Sequence, residues 1–308
     1  MISLKQLNYA IAVDKQRHFK RAAEECAVSQ SALSTAIAEL ESQLGLQIFE
    51  RNNKQVLVTV QGMRVLAKAR EVVAGVKDLY RLSEQEQAPL SLPLSLGVIP
   101  TIGPYLLPQA LPWVREQHPN SQITIIEEQS AVLVDKVRNG ELDTAILALP
   151  YPIEGLHAFE FWAEDFYLVT HKADALAGKT RVAGKQLRDT RLLLLKDGHC
   201  LKDHALSACR LPASETDQAL AGTSLHTLIQ MAAGRLGSTL VPEMALDALL
   251  GSNRELVAIP LQDPGPHRRL AFITRLNYAG VPNVEYLKGL FREALLKKDS
   301  SNDLKNRS

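Results

Sequence analysis

The apolar residues of this chain repeat at helical spacing up to about residue 87, then switch beyond Pro89 and Pro93 to short apolar runs alternating with helices. That switch requires a helical front module followed by an α/β body and excludes a single bundle or an all-β fold. In the front, Leu4, Leu7 and Ile11 form a stripe behind Ser3 as N-cap, Ala22, Ala23 and Cys26 mark a second helix, and Leu33, Ile37, Leu40 and Leu44 a third. Ala27-Val28-Ser29 links the last two tightly, and Leu46 to Thr59 reads as two short strands about a polar turn. Residues 1–59 are therefore predicted to form a winged helix-turn-helix. Residues 60–87 contain no proline and place Val65, Ala69, Val72, Val76 and Leu79 at alternating spacings of four and three. Capped by Thr59, they form a linker helix whose stripe serves either a second copy or its own domain. Residues 88–93 read as a hinge.

From Leu94 the runs 94–99, 123–126 and 144–148 alternate with helical stretches, which predicts a parallel α/β sheet. The runs 166–169, 192–195, 238–241 and 270–273, with helices near 224–235 and 283–297, predict a second such subdomain, giving a body over 94–298. The polar tail 299–308 is expected to be disordered.

The formal net charge of +1 excludes a histone-like polycation, but it is unevenly spread. Residues 1–70 hold ten Lys/Arg and six Asp/Glu, a net of +4, and the remainder holds 25 and 28, a net of −3. The basic excess sits where the helix-turn-helix is predicted, as binding to double-stranded DNA requires. The third helix presents Gln30, Ser31, Ser34 and Thr35, short hydrogen-bonding side chains suited to major-groove edges. Arg51 and Lys54 on the wing would lie near phosphates. No apolar run approaches a membrane span and no secretory signal is visible, so a cytoplasmic protein is expected. Three cysteines are too few for a disulfide framework.

The run Phe19-Lys20-Arg21-Ala22-Ala23 through Val28-Ser29-Gln30, Leu33-Ser34, Ile37, Leu40-Glu41, Leu44-Gly45 and Phe49-Glu50-Arg51 resembles the LysR-type transcriptional regulators. Thr59-Val-Gln-Gly62 resembles the start of that family's linker helix. The resemblance implies an α/β protein: an N-terminal winged helix-turn-helix, a long linker helix, and a periplasmic-binding-protein-like regulatory domain of two α/β subdomains. It also implies a homotetramer, a dimer of dimers joined through linker helices, acting with RNA polymerase. Lys20 and Arg21 are implied near phosphates, with Gln30, Ser31, Ser34, Thr35 and Arg51 as DNA contacts.

In the body, Cys200 follows an apolar strand and a glycine turn, between His199 and Lys202, and Cys209 lies nine residues later. A helix starting at Cys200 would favour its thiolate. Nine helical steps separate the two Cα atoms by roughly 13 Å, whereas a disulfide needs about 4.4–6.8 Å. Joining the pair would unwind that helix, a conformational switch rather than a staple. Three readings fit these residues: a redox switch, inert buried thiols, or a metal site of His199, Cys200, His204 and Cys209, although this spacing matches no common zinc pattern.

Gly198-x-Cys200-Leu-Lys202-Asp203 with Cys209 is similar to the peroxide-sensing LysR-type regulators. That resemblance implies a regulator of peroxide-defence genes in which hydrogen peroxide oxidises Cys200 to a sulfenic acid. Cys209 then closes a disulfide reopened by a thiol reductant such as glutaredoxin. It implies a peroxide pocket of Thr101, Ser130, His199 and Asp203, and neither cofactor nor metal. Simpler roles are open: Thr101 and Ser130 as helix caps, Asp203 as a solvated charge, Cys26 as core, His18 as a structural residue between helices. Two competing functions are a LysR-type regulator taking an organic co-inducer in the cleft between subdomains, and a thiol peroxidase. The chain carries no phosphate loop or nucleophile elbow that would mark it as an enzyme.

Overall fold

The computed structural model of the chain describes residues 1–308 except 53–54, 84–88, 189, 197, 199, 210–220, 223, 252 and 306–308, and no side chains at 51–52, 55, 81, 83, 221 and 298–305. It divides into two compact units, Met1–Glu86 and Gln87–Ser308.

The first unit holds α1 (Leu4–Gln16), α2 (Phe19–Glu25), α3 (Gln30–Leu44), β1 (Phe49–Asn52), β2 (Gln55–Val58) and α4 (Val60–Ser83). Ser3 and Gln6 form a reciprocal capping box: Ser3 Oγ accepts from the Gln6 N–H at 3.2 Å and Gln6 Oε1 accepts from the Ser3 N–H at 2.9 Å. His18 Nδ1 accepts from the Lys20 N–H at 3.2 Å, so His18, a structural residue between α1 and α2, acts as the exposed cap of α2. Ser29 Oγ caps α3 through the Ala32 N–H at 3.2 Å. Leu7, Ala10, Val13, Ala22, Leu33, Ile37 and Leu40 close the core among α1, α2 and α3. Cys26 is the half-buried C-cap of α2.

Glu41 fixes the wing, its Oε1 accepting from the backbone N–H groups of Ile48 and Phe49 at 2.7 and 3.0 Å. The β1–β2 hairpin is antiparallel, with Phe49 opposite Val58. Thr59 Oγ1 accepts from the Gly62 N–H at 2.8 Å and donates to the Gln47 carbonyl at 2.7 Å. A Cβ at Gly62 would collide with the Ile48 carbonyl. The Thr-x-x-Gly sequence is thus a joint in which the cap and the close backbone approach need each other. The stripe on α4 divides: Val65, Leu66, Ala69 and Val73 pack into this unit's core, while Val72, Leu79 and Leu82 are 43%, 63% and 52% exposed.

The second unit contains β3 (Leu94–Val98), α5 (Gly103–Gln117), β4 (Ile123–Glu127), α6 (Ser130–Arg138), β5 (Thr144–Leu149), β6 (Leu156–Glu164), β7 (Phe166–His171) and β8 (Leu192–Leu195). There follow α7 (Cys200–Cys209), β9 (Ala221–Gly222), α8 (Leu225–Ala233), β10 (Ser238–Pro242), α9 (Leu246–Leu250), β11 (Leu256–Pro260), β12 (Arg268–Arg275) and α10 (Val281–Lys305). Two five-stranded sheets result, β4-β3-β5-β12-β6 and β11-β7-β10-β8-β9.

Both sheets are mixed rather than wholly parallel. The strands β4, β3 and β5 are parallel, as are β9, β8 and β10, while β12, β6, β7 and β11 run antiparallel to a neighbour. The run 270–273 and the helix after it, expected in the second subdomain, belong to the first. Phe272 of β12 packs on Phe161 of β6 and Phe291 of α10, with ring centroids 5.2 and 5.5 Å apart, and this aromatic cluster seats both elements on the first sheet. The chain therefore crosses between subdomains twice, at Asp165 and across residues 261–267.

Two expectations about the edges of this unit change as well. Leu90, in the expected hinge, is buried in the unit's core and donates its N–H to Asn283 Oδ1 at 3.0 Å, so the segment is tied down rather than free. The helix α10 runs to Lys305 instead of giving way to disorder at residue 299. Extending an established helix gains one backbone hydrogen bond for each residue fixed, so it needs no apolar face of its own.

Candidate functional site

Three loops of the first subdomain leave the carboxyl ends of the parallel strands β3, β4 and β5 together, the usual place for a site in such sheets. Thr101 follows β3, Ser130 opens α6 after β4, and Ala148 and Leu149 end β5, with Pro150 and Tyr151 following. From the second subdomain, α7 brings its first residue, Cys200, to the same place. Cys200, Thr101 and Ser130 are buried, at 3%, 3% and 1% exposure.

The helix reaches this position through Gly198, which adopts φ +97° and lies so close to the Gln129 side chain that a Cβ would collide with it. Neither hydroxyl residue caps a helix: α5 has Ile102 and α6 has Gln129 at the N-cap, without side-chain cap bonds. Instead Thr101 accepts from Arg268, through Oγ1 at 3.3 Å and through its carbonyl at 3.2 Å. Ser130 Oγ is buried with no partner in hydrogen-bonding geometry among the described residues, yet its hydroxyl is near enough to Cys200 to lower that thiol's pKa.

Arg268 organises the floor. Fully buried at the start of β12, it pairs with Glu164 at the end of β6, Nε to Oε1 at 2.8 Å, and Glu164 Oε2 accepts from the Met244 N–H at 2.8 Å. A buried ion pair of this kind stands only because each remaining polar atom finds a partner. Burial pushes the Cys200 thiol above its ordinary pKa; the Ser130 hydroxyl, the Arg268 charge and the Ala148 N–H oppose that shift, and Asp203 adds to it. The thiol is therefore protonated at rest but surrounded by groups that favour its anion. Arg268, distant in the sequence, supplies a cation that favours the anion of Cys200.

Asp203 is exposed on α7, and its charge reaches Cys200. His199 lies outside the described residues, as do the side chain of Arg51 and all of Lys54. Cys209 closes α7, buried at 2% exposure, and its pKa is pushed up to about 12 by burial and by Asp263. It borders a surface cavity of about 410 Å³ between Lys185, Arg188 and Asp263. Both thiols are free, and α7 runs unbroken between them. The ten-residue helix keeps their Cα atoms roughly 13 Å apart, so they cannot share one metal ion.

Sequence reasoning missed Arg268, Glu164 and the Ala148 N–H, and considered His204 only as a metal ligand. His204 is buried at 3% exposure one turn beyond Cys200, its Nε2–H donating to the Pro150 carbonyl at 2.8 Å. In the other unit, Lys20, Arg21, Gln30, Ser31 and Thr35 are exposed on α2 and α3, and Ser34 is half-buried.

The chain matches the LysR substrate binding domain over residues 87–296 and the bacterial regulatory helix-turn-helix protein of the lysR family over residues 4–63. It is 41% identical to the HTH-type transcriptional regulator EstR of Acinetobacter baylyi, covering 89% of this chain and 90% of that one. It is 39% identical to a probable hydrogen peroxide-inducible genes activator of Streptomyces viridosporus, covering 95% and 94%. Among solved structures, a full-length OxyR variant from Pseudomonas aeruginosa aligns with a TM-score of 0.80 at 31% identity, over 95% of both chains. These relatives are transcriptional regulators, not enzymes. The chain belongs to the LysR family of DNA-binding transcriptional regulators and, within it, to the OxyR-like group.

Proposed function

We propose that this regulator senses hydrogen peroxide in the cytoplasm through Cys200 and Cys209 and controls peroxide-defence genes. One observation carries the reading: a buried thiol with a hydroxyl, a backbone N–H and a guanidinium gathered about it, at one end of a helix whose other end is a second buried thiol. Peroxide attacked by Cys200 gives a sulfenic acid and water, and Cys209 displaces a second water to close the disulfide. Closing it requires roughly 13 Å to shrink to about 4.4–6.8 Å, so α7 must unwind and its buried residues Leu201, Ala205 and Leu206 must leave their present packing. A thiol reductant of the glutaredoxin kind reverses the step. The free energy of that repacking is what the sensor transmits.

On DNA, Gln30, Ser31, Ser34 and Thr35 read the major groove while Lys20, Arg21 and Arg51 hold phosphates. The exposed Val72, Leu79 and Leu82 of α4 serve as the contact with a second copy, within a homotetramer that engages RNA polymerase. Operator binding is expected to weaken steeply with salt as counterions are released.

The test is a reporter driven by the regulator's own promoter, with the wild type and Cys200→Ser compared before and after peroxide. Unchanged operator binding with no peroxide response supports the reading. A mutant that still responds overturns it, and stabilisation of the fold by a small organic metabolite, with peroxide inert, would favour the co-inducer alternative.

A further inference from the structure

His204 has a buried acceptor that the fold leaves unused. A carbonyl only accepts, so the 2.8 Å contact with the Pro150 oxygen places the ring hydrogen on Nε2 and leaves Nδ1 as a bare lone pair. Nδ1 is fully buried and has no partner among the described residues. An unmet polar atom in so dry a place is costly, which points to a ligand that meets it.

The surroundings say which ligand. His204 is four residues from Cys200 on α7, hence on the same face one turn away, and helical side chains lean toward the preceding turn. The end of β5 touches both: the Ala148 N–H reaches Cys200 and the Pro150 carbonyl, two residues on, holds His204. The Arg268 guanidinium acts on both side chains. The groups that favour the sulfur's anion are donors and a cation, the Ser130 O–H, the Ala148 N–H and the Arg268 charge. A hydroperoxide also brings an O–H of its own, which needs an acceptor.

We propose that His204 Nδ1 accepts the O–H of a hydroperoxide, hydrogen peroxide or a small organic one, and so positions its attacked oxygen against Cys200. The proposal deepens the peroxide-sensing reading and rests on it. In the step, the thiolate sulfur attacks the held oxygen and the O–O bond breaks, its electron pair leaving on the other oxygen as hydroxide, or as alkoxide from an organic hydroperoxide. The attacked oxygen keeps its hydrogen, still held by Nδ1, and becomes the sulfenic acid; the proton released by the thiol converts hydroxide to water, or alkoxide to the alcohol. Sulfur is oxidised, peroxide is reduced, and His204 takes up no net proton. The charged groups that act on the ring are Arg268 on β12 and, from the exposed side of α7, Asp203; Tyr151, after β5, feels the charges of Cys200 and Asp203. Burial, reinforced by Arg268, holds the His204 pKa below its ordinary value, so the lone pair is present at neutral pH.

The test compares full-length wild type, His204→Leu and His204→Gln by the rate of Cys200 loss to hydrogen peroxide and, separately, to iodoacetamide. Iodoacetamide reports the same thiolate but offers no peroxidic O–H. His204→Leu is expected to slow the peroxide reaction about tenfold while leaving alkylation nearly unchanged, and His204→Gln, whose amide oxygen accepts, to recover most of the rate. Equal loss in both reactions, or no loss in His204→Leu, overturns the proposal. A wild-type Cys200 inert to peroxide would overturn the sensing reading itself, and the wild-type measurement alone tells the two failures apart.

Discussion

Cys200 and Cys209 begin and end one helix and are equally buried, yet their surroundings are opposite. Around Cys200, three groups that stabilise an anion work against desolvation; around Cys209, burial and the Asp263 carboxylate act in the same direction and lift the thiol to about 12. Burial is therefore not what distinguishes a reactive cysteine here. The difference comes from what the first subdomain contributes to one end of α7 and withholds from the other. On the proposed reading, it makes Cys200 the first to react and Cys209 a thiol that acts only once α7 has opened.

The largest effect should come from the floor of the Cys200 side. Arg268→Met strips Glu164 of its buried partner and is expected to cost about 3–5 kcal/mol in denaturant unfolding, besides slowing Cys200 oxidation. The pair Arg268→Met with Glu164→Gln should recover much of the stability and none of the rate, whereas recovery of both would make Arg268 merely structural. The Cys209 side predicts a pH effect. Below pH 9 its thiol is protonated folded or unfolded; between 9 and about 12 the unfolded chain gives up the proton and the folded chain keeps it, so stability falls as pH rises through that window. Melting curves of Cys209→Ala should lose that part of the slope.

Smaller changes sharpen the contrast. Ser130→Ala removes a hydrogen bond to the developing anion and is expected to slow Cys200 oxidation by roughly tenfold, measured by loss of free thiol, with no change in Cys209 alkylation. Ser207 is exposed in the middle of α7 and separates the two ends. Helix propensity between Ala and Gly differs by about 1 kcal/mol, so Ser207→Gly should close the disulfide up to about fivefold faster than Ser207→Ala after the same first oxidation. Equal rates would mean that α7 does not unwind in the limiting step.

Much of the front module was readable because its signals are local: Ser3, Ser29 and Thr59 cap the helices they precede, and the apolar stripes return at fixed spacing. The two thiols were readable for the same reason, lying on one helix. Arg268 was not, although strand parity places it on the same buried face as Leu270 and Phe272. Its neighbour Arg269 makes the pair look like ordinary solvated charge. Its partner Glu164 was harder still, since the irregularity in pairing between Leu270 and Ala271 breaks the alternation between β6 and β12. The return of β12 to the first sheet depends on the packing of Phe161, Phe272 and Phe291, which no local pattern encodes. Asp203 differs again: it is exposed on α7, and its charge raises the Cys200 pKa instead of favouring the thiolate, an effect its place in the motif does not reveal.

The central claim is that the two ends of α7 meet after peroxide reacts at one of them. Intact-mass measurement of the full chain after near-stoichiometric peroxide, followed by peptide mapping without reduction, tests it directly. The expected result is a loss of two hydrogens with the Cys200 and Cys209 peptides joined, absent in Cys200→Ser, and a gain of one oxygen confined to Cys200 in Cys209→Ser. An unchanged mass, or oxygen added with the two peptides separate in the wild type, would contradict it.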